Sequence, residues 1–249
     1  MAGHSKWANI KHKKARNDAA RGKKWSKCAR AIIVAARSGG GDPDMNLTLR
    51  YAIDEAKAVN MPKDTIEKAV KKGTGDLEGE SYEEVVYEGY GPGGVAFIID
   101  CLSDNRNRTA PEMRKIFEKS GGQLGATNCV AWMFEQKGTF VVSADKADED
   151  TLMEIALEGG ADDVQRDGDV FEILCSPSAF SATREALEAA NIEPDAAELA
   201  MVPNNTIAVE GDQARKVLRL MEELEDHDDV QKVHANFDLP DEVLAEMES

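Results

Sequence analysis

The chain has 249 residues, of which 42% are hydrophobic and 31% charged, and its formal net charge is −17. This composition is that of a folded globular protein. No apolar run approaches the roughly eighteen residues of a membrane-spanning helix, and the N-terminus lacks the apolar segment of a secretory signal, so we expect a cytoplasmic protein without membrane contact. The four cysteines (Cys28, Cys101, Cys129 and Cys175) form no C-x-x-C pair, which argues against a disulfide framework or a zinc site.

The basic residues are concentrated at the N-terminus. Residues 1–30 carry ten Lys or Arg and one acid, Asp18, for a net charge of +9, which leaves −26 on the remaining 219 residues. Nucleic acid is the commonest polyanion in a cell, so this basic arm predicts contact with phosphates, and Trp7 and His12 add stacking and hydrogen bonding. The alternative is a disordered, solubilising tail. The predicted nucleic-acid-binding residues are Lys6, Trp7, Lys11, His12, Lys13, Lys14, Arg16, Arg21, Lys23, Lys24, Lys27, Arg30 and Arg37.

The first predicted helix is amphipathic. From Trp25, apolar residues recur at intervals of three and four, which is the period of a helix with one buried face. Lys23, Lys27, Arg30 and Arg37 fall on the opposite side and are expected to face away from the core. The glycines at 39–41 predict the end of this helix. Residues 5–20 have a weaker period and predict a helix that forms on binding.

Two further helices are predicted before a linker at 74–81. Asp42-Pro43-Asp44 predicts an acidic cap for a helix whose apolar stripe spans 49–59. Met61-Pro62 predicts the start of the third helix, and Gly73 its end.

Beyond the linker the period changes to that of strands. Residues 82–90 and 95–102 flank a Gly-Pro-Gly-Gly turn and predict a hairpin, and Thr109-x-x-Glu112 predicts a helix with a capping box. A strand is predicted at 130–134. Residues 138–203 then follow the order βαββαβ, which is a ferredoxin-like unit by itself. A helix at 213–224 and a strand at 230–235 complete the chain.

These elements predict an α+β multidomain protein. An N-terminal helical domain (1–78) precedes two ferredoxin-like α+β domains, one inserted in the other. The inserted domain covers 136–205, and the surrounding, discontinuous domain covers 79–135 with 206–249.

Asp104-Asn105-Arg106-Asn107-Arg108-Thr109 lies between a predicted strand and a predicted helix. Two interpretations remain open for it. In the first, the segment is a second contact for phosphate or carboxylate near a helix N-terminus, made by Asn105, Arg106, Asn107 and Arg108. In the second, the Asn and Asp residues only form a turn, and Arg108 pairs with acidic residues of the same domain.

Other motifs favour structural interpretations. The segment 89–94 matches G-x-G-x-x-G, but it joins two strands, which is the wrong context for a dinucleotide and typical of a tight hairpin. The acids at 222–229 with His227 lack an EF-hand pattern and predict a solvated acidic rim. We expect no metal, no cofactor and no catalytic residues.

Several motifs occur together in one order: MAGHSKWANIKHKKARNDAARGKKWSK, GGGDPD, YEGYGPGG, SDNRNRT and GGQLG. In this combination the chain closely resembles the YebC/PmpR family along essentially its full length. The resemblance implies the fold derived above. It also implies nucleic-acid contact through the basic N-terminal motif and the central motif at 105–108.

The resemblance implies more than one activity. Members are described as DNA-binding transcriptional regulators, and others act in translation at the ribosome, where they relieve stalls on proline-rich nascent chains. We therefore expect a non-enzymatic, nucleic-acid-binding regulator of gene expression, with DNA or ribosomal RNA as partner through the basic N-terminal domain. Alternatives are a ribosome-associated translation factor that binds rRNA or tRNA, and a protein-interaction adaptor with an incidental arm.

Overall fold

The computed structural model of the protein describes residues 18–239, with side chains from Gly22 onward except that of Asp167. The described residues form two compact units. One contains 18–129 with 210–233, and the other contains 130–209 with 234–239. The predicted boundaries of three domains stay a prediction. Within the described residues no helix has the length and apolarity that crossing a bilayer requires.

Three helices form the N-terminal part: α1 (Asp18–Gly39), α2 (Leu47–Ala58) and α3 (Lys63–Thr74). Their shared core contains Cys28, Ile32, Leu49, Ala56 and Ile66 among its buried side chains, which confirms the apolar stripes read from the sequence. Burying one stripe from each helix is what stabilises three short amphipathic helices in water.

Close approach of α1 and α3 depends on Gly73. A Cβ at this position would lie 2.5 Å from the carbonyl oxygen of Ile33 and 2.6 Å from the Cβ of Ala36. The prediction that Gly73 ends the helix is wrong, because the helix continues to Thr74. Gly75 caps its C-terminus with a φ of 87°, the left-handed conformation that glycine adopts without strain.

The loop between α1 and α2 is organised by Asn46, which is buried. Its side-chain amide donates to the carbonyls of Ala35 and Gly40, both at 2.8 Å, and its Oδ1 accepts from the N–H of Leu49 at 3.1 Å. One side chain thus ends α1 and caps α2. The cap predicted at Asp42-Pro43-Asp44 is wrong, because α2 begins four residues after Pro43.

The remaining elements alternate between strands and helices. In chain order they are β1 (Glu83–Tyr90), β2 (Ala96–Ser103), α4 (Arg106–Lys119), β3 (Gln123–Leu124), β4 (Phe134–Ser143), α5 (Glu149–Glu158), β5 (Ala161–Asp167), β6 (Val170–Cys175), α6 (Phe180–Ala189), β7 (Ala196–Pro203), β8 (Ile207–Ala208), α7 (Gly211–Glu225), β9 (Val230–Ala235) and β10 (Phe237–Asp238). Short 3₁₀ turns occupy Pro92–Gly94 and Ala131–Met133.

The first sheet has the strand order β3-β1-β2-β9. β1 and β2 form the predicted antiparallel hairpin, with Tyr90 opposite Ala96 beside the turn. Phe97 of β2 meets Phe117 of α4 edge to face at 5.9 Å between ring centroids, and both rings are fully buried. This aromatic pair fixes α4 on the sheet.

The second sheet has the order β5-β6-β4-β7, and α5 and α6 connect its strands as β4-α5-β5-β6-α6-β7. This is the predicted βαββαβ arrangement, and in the chain it stands between elements of the first sheet. Phe140 of β4 stacks on Phe180 of α6 at 4.8 Å. The α+β fold class with an N-terminal helical part is confirmed. The strand predicted at 130–134 is wrong, because a 3₁₀ turn precedes β4 there.

We expect Gly73→Ala to lower the midpoint of thermal unfolding. The added methyl group has no room between α1 and α3, and overpacking of this kind costs about 1–3 kcal/mol. Gly22→Ala is the matched control, since nothing lies within 4 Å of a Cβ at Gly22 in the same helix pair. That exchange should leave stability unchanged or raise it by up to about 1 kcal/mol. Equal effects of the two substitutions in calorimetry would contradict the assigned role of Gly73.

Candidate nucleic-acid interface

The predicted contact residues divide into two groups by position. Lys6, Trp7, Lys11, His12, Lys13, Lys14 and Arg16 lie outside the described residues, and so does the side chain of Arg21. The structure describes the side chains of Lys23, Lys24, Lys27, Arg30 and Arg37 on α1, and of Asn105, Arg106, Asn107 and Arg108 at the start of α4.

Three of the four cations predicted to face away from the core meet the C-terminal end of α7 and the residues that follow it. Lys23 Nζ donates to the carbonyl of Asp226 at 2.9 Å, and Lys27 Nζ donates to the carbonyl of Glu225 at 2.7 Å. Arg30 donates to the carbonyl of Asp228 at 2.7 Å. The last carbonyls of a helix lack partners within it and carry partial negative charge, so cations stabilise them. The basic face of α1 is therefore a docking face within its own unit.

Asp229 is the centre of this contact. Its side chain is 1% exposed and accepts hydrogen bonds from Arg30 at 2.8 Å, Arg108 at 2.5 Å and the hydroxyl of Thr109 at 2.7 Å. Its backbone carbonyl accepts from the N–H of Leu102 at 2.8 Å. One carboxylate thus joins α1, the start of α4 and the end of β2, and the interpretation of a fully solvated acidic rim is wrong for Asp229.

The hydrogen bonds around Asp229 determine its ionisation. Burial is the largest single influence and by itself raises the pKa of the carboxyl, but the hydrogen bonds from Thr109, Arg108 and Arg30 together outweigh burial and hold the pKa below its ordinary value. The pKa of Arg108 is raised, chiefly by its hydrogen bond to Asp229. The cluster is accordingly ionic at neutral pH.

In the segment 104–109, Asp104 and Asn105 precede α4, and residues 106–109 form its first turn. Asn105 caps the helix, because its side chain accepts from the N–H groups of Asn107 and Arg108 at 3.1 and 3.3 Å. The capping box predicted from Thr109 is wrong, since the Thr109 hydroxyl is buried against Ser103 and Asp229. Capping of α4 thus accounts for the side chain of Asn105.

Arg108 also has structural partners. Besides Asp229, it pairs with Asp104 at 2.8 Å, one turn away. The side chains of Arg106 and Asn107 are exposed and make no ion pair or hydrogen bond with another described residue. Only these two remain available from the predicted second contact.

Three side chains that could ligate a metal, those of Glu112, His227 and Asp229, have their ligand atoms within 4.8 Å of one another. His227 Nδ1 accepts from the N–H of Asp229 at 3.1 Å, which leaves Nε2 as the donor to Glu112 at 3.0 Å. Both ring nitrogens are then engaged, and both oxygens of Asp229 accept from cations or Thr109. The group is built as a hydrogen-bond network, not as an open ligand set.

The thiols of Cys28 and Cys101 are both buried. Burial raises the pKa of Cys28 to about 12 and, with nearby carboxylates, that of Cys101 to about 12. Both thiols stay protonated at neutral pH, and the thiolate is the reactive form of cysteine.

The glycines of 89–94 serve close packing in the hairpin. A Cβ at Gly89 would lie 2.7 Å from the carbonyl of Gln123, and Gly93, with φ of 74°, lies under the side chain of Gln213. The strands on both sides are antiparallel, as the hairpin interpretation predicts. Trp25 is also structural, because its Nε1–H donates to the carbonyl of Val59 at 3.1 Å.

We expect Asp229→Asn to lower the free energy of unfolding by about 2–3 kcal/mol, in the range of hydrogen bonds to charged groups, because Arg30 and Arg108 lose their shared anion. Asp226→Asn is the matched control: Asp226 is 79% exposed and pairs with Lys23 at the surface. Exposed pairs contribute little, so its effect should stay below about 1 kcal/mol. Urea unfolding measures both, and equal losses would contradict the central role of Asp229.

The contribution of Asp229 should also depend on pH. Its pKa is lower in the folded chain than in the unfolded one, so its stabilisation is complete above the unfolded-state value of about 3.9 and is lost as the pH falls through the folded-state value. The difference in unfolding free energy between wild type and Asp229→Asn should therefore be constant near neutral pH and shrink below about pH 4. A difference that already changes between about pH 5 and pH 8 would contradict the assignment to Asp229.

The comparisons with known proteins cover nearly the whole chain. Residues 5–76 match the family model "TACO1/YebC protein N-terminal domain", and residues 82–237 match "TACO1/YebC second and third domain". A probable transcriptional regulatory protein of Desulforapulum autotrophicum is 54% identical over 247 residues, covering 99% of this chain and 100% of that protein. One of Natranaerobius thermophilus is 56% identical over 247 residues, covering 98% and 99%.

A solved structure gives the same result. The crystal structure of a conserved hypothetical protein from Aquifex aeolicus superposes with a TM-score of 0.85 at 48% identity, over 94% of this chain and 97% of that one. The sequence and the fold agree, and the chain belongs to the TACO1/YebC family.

Proposed function

We propose that this protein is a non-enzymatic, nucleic-acid-binding regulator of gene expression that contacts phosphates through its basic N-terminal residues. The observation that carries the proposal is the separation of charge, +9 on residues 1–30 against −26 on the rest. Such an arrangement confines attraction for a polyanion to one end of the chain. The printed names of the relatives, probable transcriptional regulatory proteins, support a regulatory role. We take duplex DNA as the first partner and the cytoplasm as the location.

The contacts of α1 with the end of α7 and with Asp229 reduce the number of basic residues left for nucleic acid. Lys23, Lys27 and Arg30 already neutralise the end of α7 and Asp229, so their charges serve folding first. The cations from Lys6 to Arg21 carry most of the remaining basic charge of the N-terminus. We therefore assign the main phosphate contact to the arm that precedes Gly22.

The acidity of the body favours a second candidate, a translation factor on the ribosome. A body with a charge of −26 is repelled by an extended polyanion, whereas in a ribosomal site an acidic surface faces protein while a basic arm meets RNA. Sedimentation of tagged protein through a sucrose gradient, with and without ribonuclease and high salt, separates the two. Co-migration with ribosomes that is lost at high salt supports translation. Salt-sensitive retention on promoter DNA without ribosome association supports transcription.

We expect the triple exchange of Lys11, Lys13 and Lys14 to Glu to abolish binding to a fluorescent 30-base-pair duplex and to ribosomes, with the melting temperature unchanged. Reversing three charges in the arm replaces attraction to phosphate by repulsion. The control reverses Lys115, Lys119 and Lys216, three exposed lysines of α4 and α7, and changes the net charge equally.

Three results would contradict this prediction. Equal losses in the variant and the control would mean that binding follows net charge alone. A large drop in melting temperature of the arm variant would show that the arm is structural. Binding that does not weaken with salt would favour the protein-interaction adaptor, because an apolar interface is insensitive to screening.

A further inference from the structure

A basic surface that the sequence analysis did not assign to nucleic acid lies on α3. It consists of Lys68, Lys71 and Lys72, all exposed, and none of them forms an ion pair or a side-chain hydrogen bond with another described residue. At about 100° per residue these lysines occupy a sector of about 100° on the helix. The buried residues Ile66 and Ala69 lie on the far side.

The local charge is unusual for this acidic chain. From Lys68 to Gly75 there are three lysines and no acid, although the whole chain carries −17. Neighbouring lysines are different, because Lys57 pairs with Asp54 at 3.1 Å and Lys63 with Glu67 at 3.8 Å. Asp64 precedes Lys68 by one turn without an ion pair to it. The acids that flank the segment have other partners, because Glu67 pairs with Lys63 and Asp76 accepts from the hydroxyl of Thr74 at 2.7 Å.

The helix that carries these lysines is fixed in place. Gly73 lets α3 approach the backbone of α1 at Ile33, and Gly75 ends the helix in the left-handed conformation. The stem of Lys72 passes over Gly79, where a Cβ would lie 3.1 Å from its Cδ, and the residue remains exposed. A rigid backbone beneath flexible cationic heads suits contact with a repeated anion such as a phosphate backbone.

The helix dipole gives the lysines a simpler role. Lys71 and Lys72 lie in the last turn of α3, where cations stabilise the terminal carbonyls. Lys68 lies before that turn, and the dipole effect is confined to it. The dipole therefore explains two of the lysines but not the continuous three-lysine surface.

We propose that Lys68, Lys71 and Lys72 form a second docking surface for the phosphate backbone of nucleic acid, in addition to the arm. This inference rests on the proposed function and deepens it: the folded helical part then contacts nucleic acid through α3, whereas the basic face of α1 is used internally. Side chains three and four residues apart on a helix are about 5–6 Å apart at Cβ, which lets them reach successive phosphates of one strand.

The test is the salt dependence of binding by the Lys68→Gln, Lys71→Gln, Lys72→Gln variant of the full chain. Gln removes the charge and keeps good helix propensity. The probes are a fluorescent 30-base-pair DNA duplex and a fluorescent 30-nucleotide oligouridine. For three phosphate contacts, the slope of log K against log salt should become shallower by about 2.7 on the duplex and about 2.1 on the single strand. A change on one probe alone would assign the surface to that nucleic acid, and a change on both would assign it to the phosphate backbone that the two share.

The matched control exchanges Lys115, Lys119 and Lys216 for Gln, which removes the same charge from α4 and α7 and should leave the slope within about 0.5 of the wild-type value. The single variant Lys68→Gln should make the slope shallower by about 0.9 on duplex DNA. It serves as the second readout if the triple variant unfolds.

The outcomes separate this inference from the proposed function. If the wild type binds both probes, the arm variant at Lys11, Lys13 and Lys14 loses binding, and the triple Gln variant keeps the wild-type slope, this inference is overturned and the proposed function stands. If the wild type binds neither probe nor ribosomes at low salt, the proposed function fails and this inference falls with it. A shallower slope in the triple Gln variant alone supports the surface.

Discussion

The structure around the N-terminal helices depends on one buried carboxylate. Asp229 is 1% exposed, and a buried charge is tolerated only when it is paired and hydrogen-bonded. Arg30 from α1 and Arg108 from α4 supply the charge, and Thr109 supplies a further donor. Because these donors come from elements distant in sequence, the carboxylate can be buried without loss of its charge only when those elements are assembled. Folding is coupled to protonation of Asp229 only at acid pH, where the lowered pKa separates the folded from the unfolded chain.

The same contact decides which basic residues are available to a partner. Lys23 and Lys27 donate to the terminal carbonyls of α7, and Arg30 pairs with Asp229, so three of the four cations on the basic face of α1 stabilise the fold. The sequence suggests that these three cations are available to a partner, but in the folded chain they already have partners within the protein. We therefore assign phosphate contact to other residues, those of the arm before Gly22 and the lysines of α3.

Glycine and asparagine, more than the apolar residues, set the geometry of the helical part. Apolar stripes determine that α1, α2 and α3 pack together, but many arrangements bury the same area. Gly73 permits one close crossing, and the buried amide of Asn46 links the end of α1 to the start of α2 through three hydrogen bonds. The position of Lys68, Lys71 and Lys72 follows from that crossing, since it fixes which side of α3 faces solvent.

The sequence by itself determined the long helices and strands and their order, but not the two-residue strands β3, β8 and β10 or the 3₁₀ turn at Ala131–Met133. Periodicity located the three helices, the β1–β2 hairpin and the βαββαβ unit, because each pattern reflects burial of one face and is local. Periodicity did not identify the capping residues. The N-cap of α2 is Asn46 and that of α4 is Asn105, although other polar residues near each helix start were also suitable. Tertiary contacts determine which of them caps the helix. Only the tertiary structure decided the pairing of Asp229 with Arg30 and Arg108, which are 199 and 121 residues away. Composition gives the sign and amount of charge, but its compensation depends on distances between residues that only folding brings together.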